Sequence, residues 1–70
     1  MILAKWESKS GKHWVTLIRS EWGVSYSAPQ AHGTFANPIT DEEAIADIEK
    51  QVSLGYFQPD ANKTPMKRVA

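Results

Sequence analysis

Ile39-Thr40-Asp41-Glu42-Glu43-Ala44-Ile45-Ala46-Asp47-Ile48-Glu49-Lys50-Gln51-Val52-Ser53-Leu54-Gly55 is the stretch that decides the fold class. It opens as a capping box, in which the Thr40 hydroxyl and the Glu43 carboxylate each satisfy a backbone N–H that a first helical turn leaves free. Ile39 stands just before the cap, where it can staple onto Ala44. Asp41, Glu42 and Glu43 crowd the positive end of the helix dipole, and Lys50 sits near the negative end. Ala44, Ile45, Ile48 and Val52 recur at helical spacing as one apolar stripe, and Gly55 is a natural stop. The spacing predicts one helix over 41–54, packed by its stripe across a sheet face.

Upstream the period is two. Residues 1–8, Met-Ile-Leu-Ala-Lys-Trp-Glu-Ser, place Ile2, Ala4 and Trp6 on one side of a strand and Leu3, Lys5 and Glu7 on the other. Ser8-Lys9-Ser10-Gly11-Lys12 is polar and carries a glycine, as a hairpin loop does. His13-Trp14-Val15-Thr16-Leu17-Ile18-Arg19 is rich in β-branched and aromatic residues and apolar on both sides, which suits the middle of a sheet. Trp14, Thr16 and Ile18 share one of its faces, Val15 and Leu17 the other. Ser20-Glu21-Trp22-Gly23 turns, and Val24, Tyr26 and Ala28 then alternate inward. Pro29 to Pro38 reads mostly as loop, with His32-Gly33-Thr34-Phe35 either a short fourth strand or an anchor through Phe35. After the helix the chain turns at Pro59-Asp60 and becomes basic. Thr64 to Val69 is then an edge strand, where Pro65 is tolerable, or a tail. The expectation is an α+β fold: a three- to four-stranded antiparallel meander with one helix on one face. It is compact over 1–58, with a C-terminal turn and basic strand or tail over 59–70.

Composition narrows the function. Seventy residues without cysteine exclude a disulfide scaffold, a thiolate metal site and a thiol nucleophile. A domain this short buries only about 60% of its unfolded surface. Most of its aromatics (Trp6, Trp14, Trp22, Tyr26, Phe35, Tyr56 and Phe57) are therefore needed in the core. The longest aliphatic run, Met1-Ile2-Leu3-Ala4, is far short of a membrane span or a signal-peptide core, so a soluble cytoplasmic protein is expected. Eight Lys and Arg balance eight Asp and Glu, which weakens any non-specific pull toward nucleic acid or anionic lipid. The balance is uneven along the chain. Lys5, Lys9, Lys12 and Arg19 against Glu7 and Glu21 make residues 1–40 +2. Asp41, Glu42, Glu43, Asp47 and Glu49 against Lys50 make 41–55 −4. Lys63, Lys67 and Arg68 against Asp60 make 56–70 +2.

No catalytic constellation emerges. His13 and His32 belong to no spaced ligand motif, so no metal site is expected. The helix carboxylates stand where capping and solvation place them rather than in an apolar cleft. The four glycines are isolated, without a phosphate-cradling loop. The chain is expected to be no enzyme and to carry no cofactor or small-molecule ligand. Aromatic and basic residues are the stronger signal. A three-stranded sheet under one helix keeps one face open, and exposed apolar patches mark partner sites. Trp6, Trp14, Trp22, Lys5, Lys12, Arg19, Tyr56, Lys67 and Arg68 are the candidate interaction residues.

The order strand-turn-strand, followed by Gly23…Tyr26-Ser27…Gly33-Thr34-Phe35…Thr40-Asp41-Glu42-Glu43-Ala44, resembles the amino-terminal arm-binding domain of tyrosine-type phage integrases over about residues 13–52. That resemblance implies a three-stranded sheet followed by a helix opening with Thr-x-x-Glu-Ala, and a sheet that binds DNA. The chain departs from the family in having Arg19 as the lone Arg or Lys of its second and third strands, and a long segment from Ser27 to Ile39. The reading that follows is a small non-catalytic interaction protein, binding a protein partner by its helix-free face or pairing sheet edges into a homodimer. The alternative is a nucleic-acid-binding module built on the basic sheet and tail with an exposed tryptophan.

Overall fold

The computed structural model describes residues 1–57 and 66–70. Its elements are β1 (Ile2–Glu7), β2 (Trp14–Ser20), β3 (Gly23–Ala28), β4 (Ala31–Thr34), α1 (Asp41–Ser53) and β5 (Lys67–Arg68). All five strands form one antiparallel sheet in the order β4-β3-β2-β1-β5. The first four make a meander, and β5 returns to the far side of β1. The α+β expectation is met.

The segment rich in proline and glycine does two jobs. Pro29-Gln30 is the two-residue turn between the paired residues Ala28 and Ala31, with proline where its fixed φ suits a tight reversal. Phe35 then anchors the chain as it leaves the sheet. Its N–H donates to the Val24 carbonyl at 2.9 Å, and its ring meets Tyr26 edge-on at 6.1 Å. At the other end, Lys67 pairs with Glu7 and Arg68 with Trp6, while Met66 enters the core. The expected turn at Pro59-Asp60 and the start of the edge strand at Thr64 lie outside the described residues.

Register settles the phase of the two-faced second strand. Leu17 lies between Ala4 and Tyr26, and Val15 lies opposite Trp6. Ala4, Trp6, Val15, Leu17 and Val24 therefore form the helix-facing layer, closed by Ala44, Ile48, Val52, Phe57 and Met66. The alternation of β3 holds as expected, with Val24 buried and Tyr26 and Ala28 packed on the core.

Ile2 departs from the expected pattern. The ladder steps from Ile2↔Ile18 to Ala4↔Leu17, which leaves Leu3 as an extra residue. Such a bulge inverts the alternation behind it. Leu3 packs on the core, and Ile2 crosses to the opposite face, where it is 60% exposed.

Both helix ends are closed locally. The Thr40 N–H donates to Glu43 Oε1 at 3.0 Å, and the Glu43 N–H donates to Thr40 Oγ1 at 3.1 Å. At the other end Gly55 adopts φ +78°, which a residue with a Cβ rarely does. The Gly55 N–H then bonds the Val52 carbonyl and the Tyr56 N–H the Gln51 carbonyl, both at 3.0 Å, the two bonds of a Schellman motif. The helix stops at Ser53 with Leu54 as its cap, one residue earlier than the spacing predicts.

Two outcomes follow for the cap. Thr40→Ala should lower the urea-unfolding free energy by about 1 kcal/mol, and an unchanged midpoint would show that the box carries no stability. The Thr40 backbone hydrogen bond, then its hydroxyl, hold the Glu43 carboxyl below its ordinary value near 4.5. Because the folded value is the lower one, this contribution is complete above pH 4.5 and is lost as pH falls through the folded value. Glu43→Gln should therefore flatten the acid limb of a stability–pH curve. A wild-type slope in the variant would assign that limb to other carboxylates.

Candidate functional site

Cross-strand partners in an antiparallel sheet project to the same face, so the register describes the face opposite the helix row by row. One row is Lys67, Glu7 and Trp14. The next is Lys5, Thr16, Ser27 and His32, and the third is Ile2, Ile18, Ser25 and Thr34. Short hydroxyl side chains fill the centre. Apolar groups stand at its borders: Ile2 against Ile18 at one end of β1, and Trp14 at the other. Trp14 and Ile18 are half-buried. Lys5 Nζ lies 3.7 Å from Glu7 Oε2, with both side chains more than a third exposed, so this pair adds little to stability.

The nine candidate residues separate into distinct places. Lys5, Trp14 and Lys67 share the open face. Trp6 does not. It is 2% exposed beneath the helix, because it alternates with Ala4 and faces Val15, and no partner can reach its ring. Arg19 also lies on the helix side. Its Nε bonds Asp41 Oδ1 and its Nη2 donates to the Ile39 carbonyl at 2.7 Å, so it ties β2 to the start of α1. Arg68 is on the helix side too, and its Nε donates to an oxygen of Ala70 at 2.9 Å. Trp22 stands at the tip of the β2–β3 turn, 82% exposed, with its carbonyl held by the Asn37 amide at 3.2 Å.

Lys12 and Tyr56 meet elsewhere. With His13, Pro29, Gln30 and Phe57 they border an open cleft of about 390 Å³ at the end of the sheet. The cleft joins a basic group to aromatic rings, but its polar groups converge on no common point that the described hydrogen bonds reveal. Sequence reasoning missed Ile2 and Ile18 as a surface pair. Ile18 was signalled by the two-faced second strand, whereas the bulge that turns Ile2 outward has no marker in the residues.

Among the described residues, no group of three or more His, Cys, Asp or Glu could hold a metal ion. None of their helices is long and apolar enough to cross a membrane. No family model, curated protein or solved structure matches the chain.

The three tryptophans differ enough in exposure to be told apart in solution. Trp22→Phe should remove most of the acrylamide-quenchable fluorescence and shift the remaining emission to the blue. An unchanged quenching curve would place Trp22 in a shielded position.

Proposed function

We propose that this chain is a small non-catalytic interaction protein that takes a protein partner on the helix-free face of its sheet. It would act in the cytoplasm, a compartment its cysteine-free sequence suits. The observation that carries the reading is the Ile2–Ile18 pair, placed by the bulge on a face that no described element covers. Solvent-facing apolar groups set among polar ones are the form of a docking patch. The charge on this face describes the partner. Lys5 and Lys67 stand there with Glu7 as the one carboxylate of the three rows, and Lys5 already engages it. An apolar patch rimmed by carboxylates complements that arrangement.

The nucleic-acid reading draws on the same Lys5, Lys67 and Trp14. It is the weaker of the two, because Arg19 and Arg68 lie across the sheet and Arg19 is engaged with Asp41.

The experiment compares capture from a lysate of the native cell by wild type, Ile18→Lys and Leu54→Lys. Leu54 is an exposed apolar residue off the open face and serves as the control. A protein held by wild type and Leu54→Lys but lost at least tenfold with Ile18→Lys supports the reading, provided the helical circular dichroism is unchanged. Equal capture by all three overturns it. So does oligonucleotide binding that needs Lys5 and Lys67 and weakens steeply between about 50 and about 200 mM salt, the sign of counterion release.

A further inference from the structure

The two edges of the sheet are unlike. At one edge β5 is two residues long, and both are cationic, Lys67 and Arg68. At the other, β4 is Ala31-His32-Gly33-Thr34, without Lys, Arg, Asp, Glu or Pro. Edge strands are ordinarily blunted by charge, proline or a bulge, because their free N–H and C=O groups template pairing with another chain. β5 is blunted in this way and β4 is not.

The groups of β4 that have no backbone partner among the described residues can be located. A two-residue turn makes its flanking residues, Ala28 and Ala31, a hydrogen-bonded pair. The Phe35 N–H bond to the Val24 carbonyl lies in the same phase. Between them Tyr26 and Gly33 form the next bonded pair, so the N–H and C=O of His32 and Thr34 point away from β3. Their side chains point to the open face. Gly33, between them, has no side chain on the helix side, where the Tyr26 ring would lie 2.8 Å from an added Cβ.

We propose that β4 is a self-pairing edge, on which a second copy of this chain lays its own β4 antiparallel about a two-fold axis at Gly33. His32 of each copy then stands opposite Thr34 of the other, and the outward groups of these residues close two reciprocal pairs of hydrogen bonds. A second copy fits better than an unrelated charged segment for two reasons. The outward groups are spaced symmetrically about Gly33, which makes the edge complementary to itself under a two-fold, and the edge has no charge to repel its own image or to select a charged peptide. Pairing at the other edge would bring Lys67 and Arg68 of each copy together beside the Lys5–Glu7 end of β1, which disfavours growth beyond two chains. An axis perpendicular to the sheet keeps both helices on one side, so the two open faces become one continuous surface. A four-residue edge buries less than the roughly 1,200–2,000 Å² of a stable interface, so the association is weak and depends on concentration.

Sedimentation velocity from micromolar to millimolar protein, together with amide hydrogen exchange, tests this. The expected result is a sedimentation coefficient rising toward that of a dimer, with the His32 and Thr34 amides slowed at least tenfold at the highest concentration. Thr34→Pro removes an outward N–H without touching a bond inside the sheet. His32→Lys places two cations diagonally across the new pair. Both variants should stay monomeric at the highest concentration while keeping the wild-type circular dichroism. A wild type that is monomeric throughout overturns the proposal, as does a dimer that survives both variants with those two amides still exchanging fast. Neither substitution alters Ile2 or Ile18, so capture of a partner through those residues is scored separately.

Discussion

A helix of thirteen residues lies on a sheet of five strands, and the dimensions are mismatched. A helix is about 10 Å across with its side chains, and strands are spaced about 4.8 Å apart, so α1 shields roughly two of them. It lies over β1 and β2, and the rest of that side must be closed by other means. Over β3 and β4 the closure is aromatic: Tyr26 takes Phe35 and Phe57 edge-on, at 6.1 and 5.6 Å. On the β1 flank it is Met66. With Trp6 below the helix, the large side chains are largely committed to one side of the sheet. No described element is left for the other, which is why that face carries hydroxyls at its centre and only a few apolar groups at its borders.

The same geometry gives the zero net charge its meaning. The helix that carries most of the carboxylates projects away from the open face, so acidic and basic surfaces are separated by the thickness of the sheet. Arg68 on the helix side is one exception, and Arg19 is the other. It reaches from β2 to the helix start, where Asp41 and the Ile39 carbonyl receive its guanidinium. The one arginine of the second and third strands is thereby engaged on the helix side, and the cations of the open face are Lys5 and Lys67, beside Glu7. A positive balance of two over residues 1–40 thus overstates the charge available to a ligand.

The helix and the first three strands were legible because their signals are local. A capping box, an apolar stripe and a terminal glycine act within a few residues of one another, and the structure forms all three. The burial of Val15 and Leu17 rather than Trp14 and Ile18 was not legible from the second strand by itself. Both of its faces are apolar, and the choice belongs to Ala4, Trp6, Val24 and Tyr26 on the neighbouring strands. Of the candidate site, alternation along the first strand set Lys5 on the side away from Trp6, whereas Trp14 and Lys67 reach the open face only through the register of their strands with β1. Trp6 and Arg19 were misjudged because residue type was weighed without facing, and an aromatic or a cation on the helix side has a structural partner waiting. Ile2 was hidden by a single inserted residue, Leu3, whose effect exists only in the ladder with β2.

The pairing of β5 with β1 joins the residues farthest apart in sequence, and it does so with a short ladder: Trp6 to Arg68, Glu7 to Lys67, and the Val69 N–H on the Lys5 carbonyl at 2.8 Å. So short a ladder makes the outer side of β1 depend on residues from the far end of the chain. The meander can assemble from neighbours alone, whereas β1 stays an outer strand until residues translated long after it arrive. For that interval Ile2-Leu3-Ala4-Lys5-Trp6-Glu7 presents a bare backbone with a tryptophan at its flank. Any ribosome-bound or partially opened form of this chain is therefore most exposed to misassociation along its first strand, at the edge that is the better guarded one once folding is complete.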